Sequence, residues 1–183
     1  VPRPSPPPTM SARPIDLADI VGGGDGLGTG KKGFGIDSRN GKQADERPRH
    51  LLSDIRVNRP KPGPTKLVNA VFVPDGPGPV PVTTTGLTVD GIPETSRAGW
   101  DAIRNGPVSE QHTTTLGDVD YAKAGHTILT LHANAGITFD LAEILAAMPV
   151  ASPRFRGVVG YGGTTPEAGA DYFVFIDGKL LAQ

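Results

Sequence analysis

The chain has 183 residues, a formal net charge of −1, 37% apolar and 5% aromatic residues, 25 glycines, 19 prolines and no cysteine. Near-neutral charge removes any global pull toward nucleic acid or an anionic membrane. No apolar run reaches the roughly 18 residues of a membrane span, and without cysteine there are neither disulfides nor thiolate metal sites. Glycine and proline at about a quarter of the chain leave material for one modest core, with much turn and extended segment around it.

Residues 1–14 read as a polyproline-II arm, with Pro2, Pro4, Pro6, Pro7, Pro8 and Pro14. The chain opens on Val1 with no visible signal peptide, so it is expected to be a processed or excised piece of something longer. Ile15 to Val21 is a short apolar run that fits a strand or a single helical turn equally well. Residues 22–50 read as a glycine-rich and then charged loop without hydrophobic period. Leu51-Leu-Ser-Asp-Ile55 is a second apolar island, and the prolines of 59–64 forbid regular structure after it.

From residue 67 the pattern changes. Val68-Asn-Ala-Val-Phe-Val73 is rich in strand formers and stops at a Pro-Asp-Gly turn, and Val80-Pro-Val82 and Leu87-Thr-Val89 alternate. Residues 93–124 are polar and irregular. Further strands are predicted at 127–132, 137–140 and 154–159, and at 172–176, which is apolar on both faces and therefore reads as a central, covered strand. Asp177-Gly178 is a two-residue hairpin signal, so a return strand should start at Lys179. One short helix interrupts the strands: Asp140 caps it, Glu143 follows three residues on, Leu141, Ile144, Leu145 and Met148 share a side, and Pro149 ends it.

Motifs that imitate chemistry fail in detail. Gly28-x-Gly-x-x-Gly33 has dinucleotide-binding spacing but no following helix to receive a pyrophosphate, and Gly30-Lys31 lacks the other elements of a P-loop. His126 and His132 have strand spacing for one face, without a third ligand in view. No serine sits in a nucleophile elbow, and no carboxylate pair is placed for glycoside cleavage. The chain therefore reads as non-enzymatic. For sugar binding, the loop aromatics Trp100, Tyr121 and Tyr161, with His132, offer rings that stack on a pyranose. Asp118, Asp120 and Glu167 are loop carboxylates that suit sugar hydroxyls or a calcium ion; no other cofactor is expected.

Five blocks between residues 86 and 181 carry a family resemblance: Gly86-Leu-Thr-Val-Asp-Gly91, Gly125-His126, Leu131-His-Ala-Asn-Ala-Gly-Ile-Thr-Phe-Asp-Leu141, Arg154-Phe-Arg-Gly-Val-Val-Gly160 and Ala170-Asp-Tyr-Phe-Val-Phe-Ile-Asp-Gly-Lys179. They resemble the NPCBM family, the "novel putative carbohydrate-binding module". Asp16-Leu-Ala-Asp-Ile-Val-Gly-Gly-Gly-Asp-Gly26 is similar to envelope-associated bacterial ectodomains that carry this module. The resemblance implies an all-β fold, an antiparallel galactose-binding-like (jelly-roll) sandwich at 67–183, preceded by arm and loops at 1–66. It also implies a non-catalytic role in a secreted or cell-envelope bacterial protein.

In that family the sandwich continues for several strands past the Asp-Gly-Lys hairpin. Here it is expected to be completed by another chain, a second copy or the N-terminal half. Two functions stay open: a glycan- or polysaccharide-binding module, and an assembly protein using arm and sandwich for subunit contacts. Neither nucleic acid nor a membrane span is expected.

Overall fold

The structure, a computed structural model, describes residues 13–44, 59–74, 78–93, 102–107, 113–163 and 168–183. Over these the regular elements are mostly strands, paired in antiparallel sheets, with two short helices: an all-β protein. The apolar island at 51–55 and the polyproline run at 1–12 lie outside the described residues.

The first helix, α1 (Leu17–Val21), resolves the ambiguity of the 15–21 segment. Asp16 caps it, its carboxylate accepting from the Ala18 amide at 2.9 Å. A five-residue helix has little stability of its own. It persists because Ala18, Ile20 and Val21 are buried and because Asp19 holds the next segment against it. The buried Asp19 carboxylate accepts from the amides of Gly26 at 2.7 Å and Gly30 at 2.6 Å, and its carbonyl accepts from Gly24 at 2.9 Å. A Cβ on Gly24 would lie 2.2 Å from an Asp19 carboxylate oxygen, and one on Gly30 2.1 Å from the Asp19 carbonyl oxygen. The glycine-rich loop is thus wrapped on one side chain at a distance only glycine permits.

The loop delivers the chain to a four-stranded sheet in the order β2 (Gln43–Ala44), β1 (Gly35–Asp37), β6 (Ala102–Asn105), β9 (Leu129–Leu131), antiparallel throughout. Residues 15–37 thereby place Ile20, Val21 and Ile36 in the main core. This part of the segment read as arm and loops is therefore integral to the fold. β1, β2 and β6 were not legible as strands because each is short and set among glycine, charge and turn residues. Asp37 closes the β1–β2 turn: its carboxylate accepts from the Arg39 guanidinium at 2.7 Å and from Asn40 Nδ2 at 3.0 Å.

Next to this sheet, β3 (Val68–Phe72) pairs with β10 (Gly136–Phe139) through a register shift at Thr138/Phe139. Adjacent side chains of a strand point oppositely, and the extra β3 residue at the register shift interrupts that alternation between Val68 and Val71. Val68 and Val71 enter the main core with Leu67, Ile103 and Ile144, whereas Phe72 packs on a smaller cluster of Val80, Val82 and Val89. Those valines come from β4 (Val80–Pro81), the following loop and β5 (Thr88–Val89), a two-stranded pair. The helix α2 (Leu141–Ala147) forms as its sequence indicates, with Asp140 accepting from the Glu143 amide at 3.1 Å, and Ile144 is its buried anchor.

Two further hairpins lie outside the main core: β7 (Thr115–Leu116) with β8 (Val119–Asp120), and β11 (Val174–Ile176) with β12 (Lys179–Ala182). The second turns at Asp177 and Gly178, both with positive φ, as a primed two-residue turn requires. Two expectations fail here. Residues 154–159 form no strand, and Phe155 and Val158 are 57% and 63% exposed, because no neighbouring strand among the described residues pairs with them. Residues 174–176 are not a central covered strand either: among the described residues β11 pairs only with β12, and Ile176, Leu180 and Leu181 are exposed. The sheets do not close on one another among the described residues.

Replacing Asp19 by alanine leaves one buried and one partly buried amide without their acceptor. At about 1–3 kcal/mol for each stranded donor, the unfolding free energy falls by roughly 3 kcal/mol. Urea denaturation measures this, with Lys32→Ala at an exposed turn shifting it by less than about 0.5 kcal/mol.

Candidate functional site

The β7–β8 hairpin gathers most of the sequence-predicted site residues that the structure describes. Gly117 and Asp118 make its two-residue turn, with Gly117 at φ +60°. The ladder is extended by the Tyr121 amide donating to the Thr114 carbonyl at 3.0 Å. Asp120 is fixed at the end of β8: its carboxylate accepts from the Thr114 hydroxyl at 2.7 Å and from the Ala122 amide at 3.0 Å. These donors favour the charged form. The Thr114 hydroxyl first, then the Ala122 amide, with smaller help from Lys123 and His126, hold the Asp120 carboxyl below the ordinary aspartate range.

Past Asp120 the chain turns back on itself, Lys123 donating to the Asp120 carbonyl and His126 to the Lys123 carbonyl. The turn brings the His126 ring edge-on to Tyr121, with centroids 5.2 Å apart and planes at 61°. From the other direction, residues 160–163 dock on the same hairpin. The Thr113 amide donates to the Gly162 carbonyl at 2.7 Å, and Leu116 packs over Gly160. Tyr161 lies between these two contacts and remains exposed. Tyr121, Asp118, Asp120 and Tyr161 therefore belong to one local unit, assembled from segments some forty residues apart in sequence.

His132 is not part of it: it follows β9, with Nδ1 3.2 Å from the Ala133 carbonyl oxygen. The strand spacing proposed for His126 and His132 does not apply, because β9 begins only at Leu129 and His126 lies in the preceding turn. Trp100 and Glu167 lie outside the described residues. Among the described residues no three His, Asp or Glu side chains converge as a cation site requires. The amides of Gly26 and Gly30, the ones a phosphate cradle would draw on, already donate to Asp19. Sequence reasoning missed Thr114 and His126 as members of the unit. An aspartate followed two residues on by a free amide is a common local motif, and it gives no sign that a hydroxyl six residues earlier will share the carboxylate.

No known protein family, no curated protein and no solved structure matches the chain.

A depressed carboxyl contributes stability that is present above the unfolded-state pKa and is lost as pH falls through the folded value. The Asp120 contribution therefore disappears only in strongly acidic solution. A carbon-detected NMR titration is expected to show Asp120 ionising below a free aspartate, with Thr114→Val moving its midpoint upward.

Proposed function

We propose that the chain is a non-catalytic carbohydrate-binding-like module of a secreted or cell-envelope protein, built on the galactose-binding type of β-sandwich that its sequence resembles. Glycans are taken by the β7–β8 unit. The observation that carries this reading is the conjunction at one exposed hairpin of an aromatic pair, Tyr121 with His126, a second tyrosine, Tyr161, and a carboxylate, Asp120, held in place by two donors. A sugar is recognised by ring faces that cover its apolar C–H side and by acceptors that take its hydroxyls. The hairpin offers both on a scaffold already ordered, so little conformational freedom is lost on binding.

The test is affinity electrophoresis through gels containing soluble polysaccharides, followed by calorimetry on any that retard the protein. Loss of one stacking ring is worth about 1 kcal/mol or somewhat more, so Tyr121→Ala and Tyr161→Ala each weaken binding by about tenfold. Asp120→Asn weakens it as well, and no reducing ends accumulate during long incubation. Unchanged binding in all three variants places the ligand elsewhere.

One observation favours the second reading, that of an assembly protein. Leu180 and Leu181 point to opposite faces of β12, and both are more than half exposed, so this strand is covered on neither side. Exposed apolar strands of this kind are characteristic of surfaces that meet other polypeptide. Light scattering at micromolar concentration separates the readings: an oligomer that Leu181→Lys converts to monomer supports assembly, and a monomer throughout removes it.

A further inference from the structure

The geometry points to Asn40 as a site of spontaneous covalent modification: deamidation at the Asn40–Gly41 bond, held back by the Asp37 turn and disrupting that turn once it occurs. An asparagine followed by glycine is chemically exposed to attack by its own backbone, because glycine has no side chain to hinder approach of its nitrogen. In the reaction the Gly41 nitrogen attacks Cγ of Asn40 and loses its proton. A new C–N bond closes a five-membered succinimide, and Nδ2 leaves as ammonia. Water then opens either carbonyl of the ring, giving aspartate or isoaspartate. The net change is one water consumed and one ammonia released.

Both asparagine–glycine pairs of the chain are among the described residues, and they differ. Asn105 is buried within β6, and the Gly106 amide donates to the Ile128 carbonyl at 2.8 Å. Asn40 is exposed, in the turn after β1. Its reacting atoms are nevertheless all engaged. The Gly41 amide donates to the Asp37 carbonyl at 2.8 Å, the Asn40 side-chain oxygen accepts from the Lys42 amide at 2.8 Å, and Nδ2 donates to the Asp37 carboxylate at 3.0 Å. The Arg39 guanidinium holds the same carboxylate through both of its oxygens. Attack requires this turn to open, so the rate follows the open fraction.

The product cannot re-form the turn. Aspartate at position 40 sets a carboxylate oxygen where Nδ2 donated, against the buried Asp37 carboxylate. A hydrogen bond is exchanged for like-charge repulsion. Isoaspartate also lengthens the backbone inside a loop closed by the bond from Gly41 to Asp37. Since β2 is the edge strand next to β1, the modification releases one edge of the main sheet.

The experiment is peptide mapping by mass spectrometry of the full chain aged in mildly alkaline buffer, native and in urea. The expected result is a one-dalton gain at Asn40, slower in the native protein than in urea by about tenfold or more, with Asn105 unchanged in the native protein. Arg39→Ala, which removes the guanidinium bonds to Asp37 without touching the reacting atoms, speeds the native reaction toward the urea rate. Asn40→Asp, made directly, melts below the wild type. Equal rates at Asn40 in native buffer and urea, or native conversion of Asn105 as fast as Asn40, overturn the protection. An Asn40→Asp melting temperature equal to wild type overturns the coupling to the turn.

Discussion

The carboxylate of Asp19, almost wholly removed from water, takes the amides of Gly26 and Gly30 and fixes everything that follows it. With the loop closed on Asp19, the Gly22 carbonyl accepts from Lys31, the Gly33 amide reaches the Asn105 carbonyl, and the Asn105 amide reaches the carbonyl of Phe34. That succession of bonds sets residues 34–37 alongside β6 and brings Ile36 over Ile103. A buried carboxylate is tolerable only when its lone pairs are met. The glycines meet them with backbone, which is why a stretch without hydrophobic pattern is nonetheless fixed in place.

The second organising feature is β3. One side of it closes the main core with Val68 and Val71, and from the other Phe72 starts a smaller cluster with Val80, Val82 and Val89, which Phe175 of β11 joins. Polar bonds reinforce the same junction: Thr138 donates to the Val82 carbonyl, and Asn69 accepts from the Thr84 amide. Burial falls off in a gradient from β1, β6 and β3, through β10, to the outer hairpins, which hold by turn chemistry and a few side chains.

What the sequence disclosed follows that gradient in reverse. The Asp177-Gly178 turn, the Asp140 cap and the stretch at 68–72 were legible because each depends on residues within a few positions of one another. The four-stranded sheet was not. β1 contributes three residues and β2 two, and what makes them strands is the distant β6. The reading of 154–159 and 172–176 erred the other way. An apolar, β-branched pattern records a capacity to pair and be covered, and realising it needs a partner strand that the pattern does not contain. Of the candidate site, Tyr121, Asp118 and Asp120 were identified singly. Their union with Tyr161 rests on the bond from Thr113 to Gly162, which no local pattern announces.

The two surfaces proposed for binding differ in chemistry, and this bears on how each would have to work. The β7–β8 unit is polar, locally hydrogen bonded and set apart from both apolar clusters, so its rings and carboxylate are presented without cost to the core. Such a site suits a ligand that needs few, well-placed contacts. β12 presents the opposite chemistry: Leu180 and Leu181 face water on both sides of a strand whose outer edge has no partner strand among the described residues. Covering it requires a polypeptide that supplies both backbone pairing and apolar contact. A sugar can supply neither in full. The two proposed readings thus call on different chemistry at different strands, and a glycan-binding module that also packs against protein contains no internal contradiction.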